Sequence, residues 1–180
     1  MDTDPDAYST HIPILMAAVL RSSGPVIEFG MGHYSTPILH QLCHNRLLLS
    51  VESDAEFGSQ FSYMKTERHD ICFIPDHDWS AADGAVQFAV KSVEDEPWPP
   101  LGVVFIDHGD VSQRAKDILR FEDLAEYIVI HDSNVAAYGY EATFPHFKYK
   151  YEWMPYVIHT TVLSNFKPFE LLQRHGKKVR

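Results

Sequence analysis

The chain has 180 residues, 45% of them hydrophobic and 22% charged, and a formal net charge of −10 at pH 7. That length and mix describe one soluble globular domain with a core of its own. The acidic balance argues against gripping phosphate backbones over a broad face, and no apolar run reaches the roughly 18 residues of a membrane span. Neither a nucleic acid nor a membrane is expected as a partner.

The start, MDTDPDAYSTH, is acidic and polar rather than a secretory leader. Residues 1–10 read as a flexible lead-in. HIPILMAAVLR (11–21) has the apolar spacing of a helix, and PVIEF (25–29) is a short buried strand ended by glycines. Residues 35–44 return to a helical pattern, with Ser35 or Thr36 as N-cap and Pro37 in the first turn. RLLLSVE (46–52) and ICFI (71–74) are further buried strands, with a helix expected over 55–68 between them. A helix over 81–93, a strand LGVVFID (101–107), one or two helices over VSQRAKDILRFEDLAE (111–126) and a strand YIVIHD (127–132) continue the alternation. Strands apolar along their whole length, each followed by a helix, predict a parallel sheet covered on both faces.

The end breaks the alternation. HFKYKYEWM (146–154) and YVIHTTVLSNF (156–166) are both β-rich, with little more than Pro155 between them. Parallel strands need a crossover of a dozen residues or more, so these two must pair antiparallel. The expected fold is a single α/β, Rossmann-like three-layer sandwich, with a mostly parallel seven-stranded sheet and a C-terminal antiparallel hairpin. The final residues, 174–180, form a basic tail. Cys43 and Cys72 make no metal-like pair and read as buried free thiols, for which a cytoplasmic location is expected. Oligomeric state is not legible.

In such sheets ligands bind beyond the carboxyl ends of the strands, where strand order reverses. The loop GMGHYST (30–36) is therefore the first candidate site. Gly30 and Gly32 let backbone approach a ligand, and the amides around Tyr34 to Thr36 favour a negative group; a bare tight turn is the alternative. Three acids strengthen the ligand reading: Glu28 near the end of the first strand, Glu52 ending the second, and Asp107 ending the fourth. A carboxylate at each of these ends would otherwise be a costly charge at a core edge.

The pieces VIEFGMGHYST, LLSVESD, VVFIDHGD and IVIHDS, with the closing hairpin, resemble the class I S-adenosylmethionine-dependent methyltransferases over nearly the whole chain. FIDH with the later HD looks closest to small O-methyltransferases of the catechol and antibiotic-tailoring types. The resemblance implies S-adenosylmethionine as cofactor. Glu28, Gly30 and Gly32 would shape its methionine end, with Tyr34 and Ser35 near the carboxylate. It places Glu52 on the ribose and Asp76 and His77 beside the adenine, while Trp79 either stacks on a ring or belongs to the core. Asp107 and His108 would sit by the sulfonium and the incoming substrate.

Two routes are open for activating an acceptor hydroxyl. In one, a side chain such as His108, Asp110 or His131 takes the proton. In the other, a divalent metal (Mg²⁺ or Mn²⁺) held by Asp107 and Asp132, with His131 nearby, makes the hydroxyl more acidic. The His-Asp pair departs from the Asp-Asn and Glu-Asp pairs of the two subfamilies, and we favour the metal-free route. Tyrosines in 133–148, with Phe144 and Phe147, either wall the pocket or bury a loop. With no separate recognition domain, a small-molecule methyl acceptor is expected. The alternatives are a non-catalytic or degenerate cofactor binder, and an NAD-dependent oxidoreductase, whose G-x-G-x-x-G/A pattern would have Ser35 at its third position.

Overall fold

A computed structural model describes residues 7–74, 83, 84, 86, 87 and 101–171. Helix α1 (Ile12–Arg21) precedes β1 (Val26–Phe29), α2 (Thr36–Leu42), β2 (Leu48–Glu52) and α3 (Ala55–Ser59). Then come β3 (His69–Phe73), β4 (Leu101–Ile106), α4 (Val111–Arg120), β5 (Ala125–His131), β6 (Tyr149–Trp153) and β7 (Thr160–Ser164). The strands form one sheet in the order β3-β2-β1-β4-β5-β7-β6. Five strands run parallel; β7 pairs antiparallel with both β5 and β6. The order reverses between β1 and β4, which puts the expected crevice over those two strands.

Strand pleating sorts the core into two layers. Ile27, Phe29, Leu49, Val51, Val104, Ile106, Ile128 and Ile130 pack with Ile118 and Phe121 on one face. Val26, Leu48, Val103, Phe105, Tyr127 and Val129 pack with α1 and Leu39 on the other. Because both faces are covered, the strands carry no polar alternation, which is why they read as unbroken apolar runs.

Element boundaries moved where local chemistry intervened. The helix expected over 55–68 ends at Ser59, followed by a tight turn at Ser62–Met64. Gly58 lies hard against the sheet, where a Cβ would come 2.4 Å from Phe73 Cε1. The helix after β4 stops at Arg120, and β5 begins earlier than expected, at Ala125. The β6–β7 link is residues 154–159, longer than the single proline suggested. Residues 133–148 hold three short 3₁₀ turns. Of the helix expected over 81–93, the four described residues are helical; the 174–180 tail lies outside the described residues. Both cysteines are free, Cys43 buried and Cys72 half-buried. Among the described residues no helix is long and apolar enough to cross a membrane.

Candidate functional site

Strand register decides which end-of-strand residues meet. Phe29 pairs with Val51 and with Ile106, and Ile106 pairs with Ile130. The next residue along each strand therefore falls in one row, Glu52, Gly30, Asp107 and His131, across the tips of β2, β1, β4 and β5. Glu28 pairs with Ser50 and Phe105, two residues deeper in the sheet. Two of the three acids thus share a level, and the third sits beneath them.

The glycines divide their work. Gly30 has φ +90, and a Cβ there would lie 2.5 Å from His108 N and 2.6 Å from the Asp107 carbonyl carbon. On that side it faces the β4 tip rather than a ligand, so its lack of a side chain lets the two strand ends close. Gly32 lines the cavity, and its amide donates to Thr36 Oγ1 at 2.9 Å. Thr36 in turn donates to Glu28 at 3.0 Å. The turn reading thus describes Gly30, while Gly32 stands where a ligand can approach.

Glu28 is wholly buried and accepts from the hydroxyls of Ser35, Ser50 and Thr36. Burial pushes its carboxyl up to about 7. Glu52 accepts from the amides of Met31 (2.9 Å), Ser53 (2.7 Å) and Asp54 (2.9 Å). It ties the glycine loop to the end of β2. Asp76, His77 and Trp79 lie outside the described residues.

On the other side of the row the partners are charged. His131 Nδ1 meets Asp107 Oδ1 at 3.1 Å, and Nε2 meets Thr10 Oγ1 at 3.0 Å. The Thr10 hydroxyl also donates to the Ala7 carbonyl at 3.2 Å. Burial opposes that charge, but Asp107, through its hydrogen bond and its charge, and Asp132 outweigh it and raise the ring's pKa above 6.5. His11 packs edge-on against His131, 4.7 Å between ring centroids. It is 2% exposed, lines the cavity, and has no hydrogen-bond partner on either ring nitrogen among the described residues. Burial and the neighbouring His131 lower its pKa to about 4, so it is neutral near pH 7.

His108 turns away from the cavity. Its Nδ1 accepts from the Asp110 amide at 3.3 Å and its Nε2 faces Asp117 at 3.1 Å, both rings of contact lying under α4. Asp110 caps that helix, accepting from Ser112 N at 2.9 Å.

Arg114, on α4, is 3% exposed and joins both acid tips. Its guanidinium reaches Asp107 at 3.3 Å and Asp132 at 3.4 Å. It also donates to the His108 carbonyl and to Tyr140 Oη (3.1 Å), and lies 4.2 Å over the Tyr138 ring. Asp132 has φ 55, a left-handed bend that an aspartate tolerates better than most residues. Sequence reasoning missed Arg114, Thr10 and His11. For Arg114 a signal existed: it falls four residues before Ile118, on the face of α4 that must be apolar.

These groups surround a cavity of about 910 Å³, lined also by Tyr8, Tyr34, Ser35, Phe57, Tyr138 and Ile158. Ala7 and Tyr8, within the segment read as lead-in, line it too. Of the aromatic insertion, Tyr138 reaches the cavity, while Phe144 and Phe147 pack on the core. The volume suits a cofactor-sized ligand, and Gly32 with the loop to Ser35 supplies the close backbone approach such a ligand needs.

A divalent ion fits less well. Asp107 and Asp132 already share Arg114. Ligating atoms of His11, Asp107 and His131 lie within 4.8 Å of one another, yet both nitrogens of His131 are engaged, by Asp107 and by Thr10. The residues present do not offer an open donor set.

No protein-family model and no curated protein sequence matches the chain. Solved structures do. The O-methyltransferase TomG of Streptomyces achromogenes, involved in tomaymycin synthesis and solved with SAM, aligns over 91% of this chain and 82% of its own at 13% identity, TM-score 0.58. Cofactor-bound Rv0187 from MTB aligns over 93% and 84% at 14% identity, TM-score 0.56. The METTL16 methyltransferase domain aligns over 91% and 70% at 10% identity, TM-score 0.54. The fold is that of the class I S-adenosylmethionine-dependent methyltransferases, as the sequence resemblance implied.

Proposed function

We propose that this chain transfers a methyl group from S-adenosylmethionine to a small molecule, at a hydroxyl oxygen. The observation that carries the reading is the row of Gly30, Asp107 and His131 at the tips of β1, β4 and β5, beside the cavity. The loop Met31–Ser35 and Phe57 would hold the cofactor, with Glu52 keeping that loop in place. When bound, the sulfonium supplies an electrophilic methyl group; the protein supplies alignment and a destination for the acceptor's proton.

His131 is the proton acceptor. Asp107 holds its Nδ1, which directs Nε2 toward Thr10, and His131 itself lines the cavity. The acceptor's hydroxyl proton passes to His131, and Asp107 stabilises the imidazolium that forms. His11, neutral and unpartnered, offers a second nitrogen to accept a hydrogen bond from the acceptor. Because the neutral His131 ring is the working base, turnover should rise with pH through a midpoint above 6.5.

The test is thermal shift with S-adenosylmethionine, S-adenosylhomocysteine and NAD, each far above its dissociation constant, followed by a hydroxyl-substrate panel. Stabilisation by several degrees with the first two, and methylated product, is expected. A response to NAD alone would make the chain an oxidoreductase. Sulfonium binding with no turnover across the panel would make it a non-catalytic binder.

A further inference from the structure

The carboxylates of Asp107 and Asp132 project from neighbouring strand ends, β4 and the turn after β5, and both are partly open to the cavity. Two aspartates so placed would ordinarily attract a divalent cation. Here the cation is part of the chain. Arg114 Nη2 faces Asp107, Nε donates to the His108 carbonyl, and Nη1 lies within reach of Asp132, the His131 carbonyl and Tyr140 Oη. The Tyr138 ring covers one face of the guanidinium. All three guanidinium nitrogens are thus engaged by fixed partners on three segments of the fold, an arrangement a lysine's single ammonium could not reproduce.

We infer that Arg114 is a positioning residue that stands in place of a divalent cation, so that the site works without metal. The guanidinium neutralises the two carboxylates, fixes the spacing between the β4 and β5 tips, and ties the 133–148 loop to them through Tyr138 and Tyr140. An incoming Mg²⁺ or Mn²⁺ would have to displace a buried, five-donor group or sit against its positive charge. The inference extends the methyltransferase reading but can be tested apart from it, because ion binding is read with neither cofactor nor acceptor present.

The experiment is Mn²⁺ titration followed by the electron paramagnetic resonance signal of the free ion. The wild-type chain should leave that signal unchanged at equimolar protein. Arg114→Gln, checked for folding by circular dichroism, should take up about one Mn²⁺ at least tenfold more tightly than wild type, and adding Asp132→Asn should abolish the uptake. Stoichiometric Mn²⁺ binding by the wild type that Asp132→Asn removes would overturn the inference. So would a folded Arg114→Gln that binds none. Should Arg114→Gln not fold, the wild-type titration still decides, and Arg114→Lys gives the second arm: it keeps the charge and should also exclude Mn²⁺, but should lower kcat with little change in KM because the fork is lost. Wild-type KM and kcat in Arg114→Lys would reduce Arg114 to a charge alone and contradict a positioning role.

Discussion

The two halves of the strand-tip row solve the same problem in opposite ways. On the β1–β2 side, among the described residues, Glu28 and Glu52 accept only from hydroxyls and backbone amides. On the β4–β5 side, Asp107 and Asp132 face an imidazole and a guanidinium. Burial drives the Glu28 carboxyl toward its neutral form, whereas two carboxylates drive the buried His131 toward its charged form. The first half is scaffolding for a loop; the second is equipped to handle a proton. Charge compensation, rather than the mere presence of acids, separates the two.

The sharpest way to break this contrast is Asp107→Asn. It removes the group that orients His131 and one partner of Arg114. Turnover should fall by about 10²–10⁴-fold, the range for a disabled acid–base group, with cofactor affinity within a few-fold of wild type. The pH midpoint of kcat should also move down, because the carboxylate that raises the His131 pKa is gone. A larger loss in affinity than in turnover would put Asp107 on the scaffolding side.

Glu28→Gln probes the opposite half. The folded carboxyl pKa is raised from 4.5 to about 7, so its contribution to stability is fully present below pH 4.5 and is lost as pH rises through 7. The variant cannot ionise, and between pH 5 and pH 8 it should gain about 2.5 kcal/mol relative to wild type, from a displacement of about 1.36 kcal/mol per pH unit. Urea unfolding at the two pH values measures this. Parallel behaviour of the two proteins would mean that Glu28 is ionised throughout and that a cation reaches it.

Smaller effects refine the picture. Glu52→Ala strands the three amides that carboxylate accepts from, and should reduce both unfolding free energy and cofactor affinity by about 1–3 kcal/mol. Calorimetry that finds affinity unchanged would place the ligand away from this loop. Smallest is Gly139→Ala: φ is +67 but the Cβ enters open space, so the cost should be about 1 kcal/mol from the left-handed backbone alone, against a far greater loss for Gly30→Ala, where backbone stands in the way. Equal losses at the two positions, measured by thermal melts, would show that Gly30 does not hold the β1 and β4 tips together.

Much of this was legible beforehand because it depends on neighbours in sequence. An apolar run ended by an acid, a G-x-G turn and a helix are local patterns, and the missing crossover before the last strand forced the antiparallel hairpin. Depth was not legible. Nothing in VIEFG tells that Glu28 lies two residues beneath the row that Glu52 and Asp107 share; the register of three strands decides it. Nor could the chain order pair Thr10 with His131, 121 residues away. Arg114 was hidden by its type, since an arginine in a helix reads as solvent-facing until its i+4 neighbour, Ile118, is seen to be core. His108 illustrates the converse: its place after Asp107 suggested chemistry, but its ring is buried against Asp117 of α4.

At the centre is the idea that the hollow over the β1 and β4 tips receives S-adenosylmethionine. Isothermal titration of the purified chain with S-adenosylmethionine, S-adenosylhomocysteine and NAD measures this directly. One equivalent of each adenosyl-sulfur ligand should bind, NAD should not, and Gly32→Val should abolish the signal while the protein stays folded. Heat from NAD alone, or adenosyl-sulfur binding that Gly32→Val leaves intact, would contradict it.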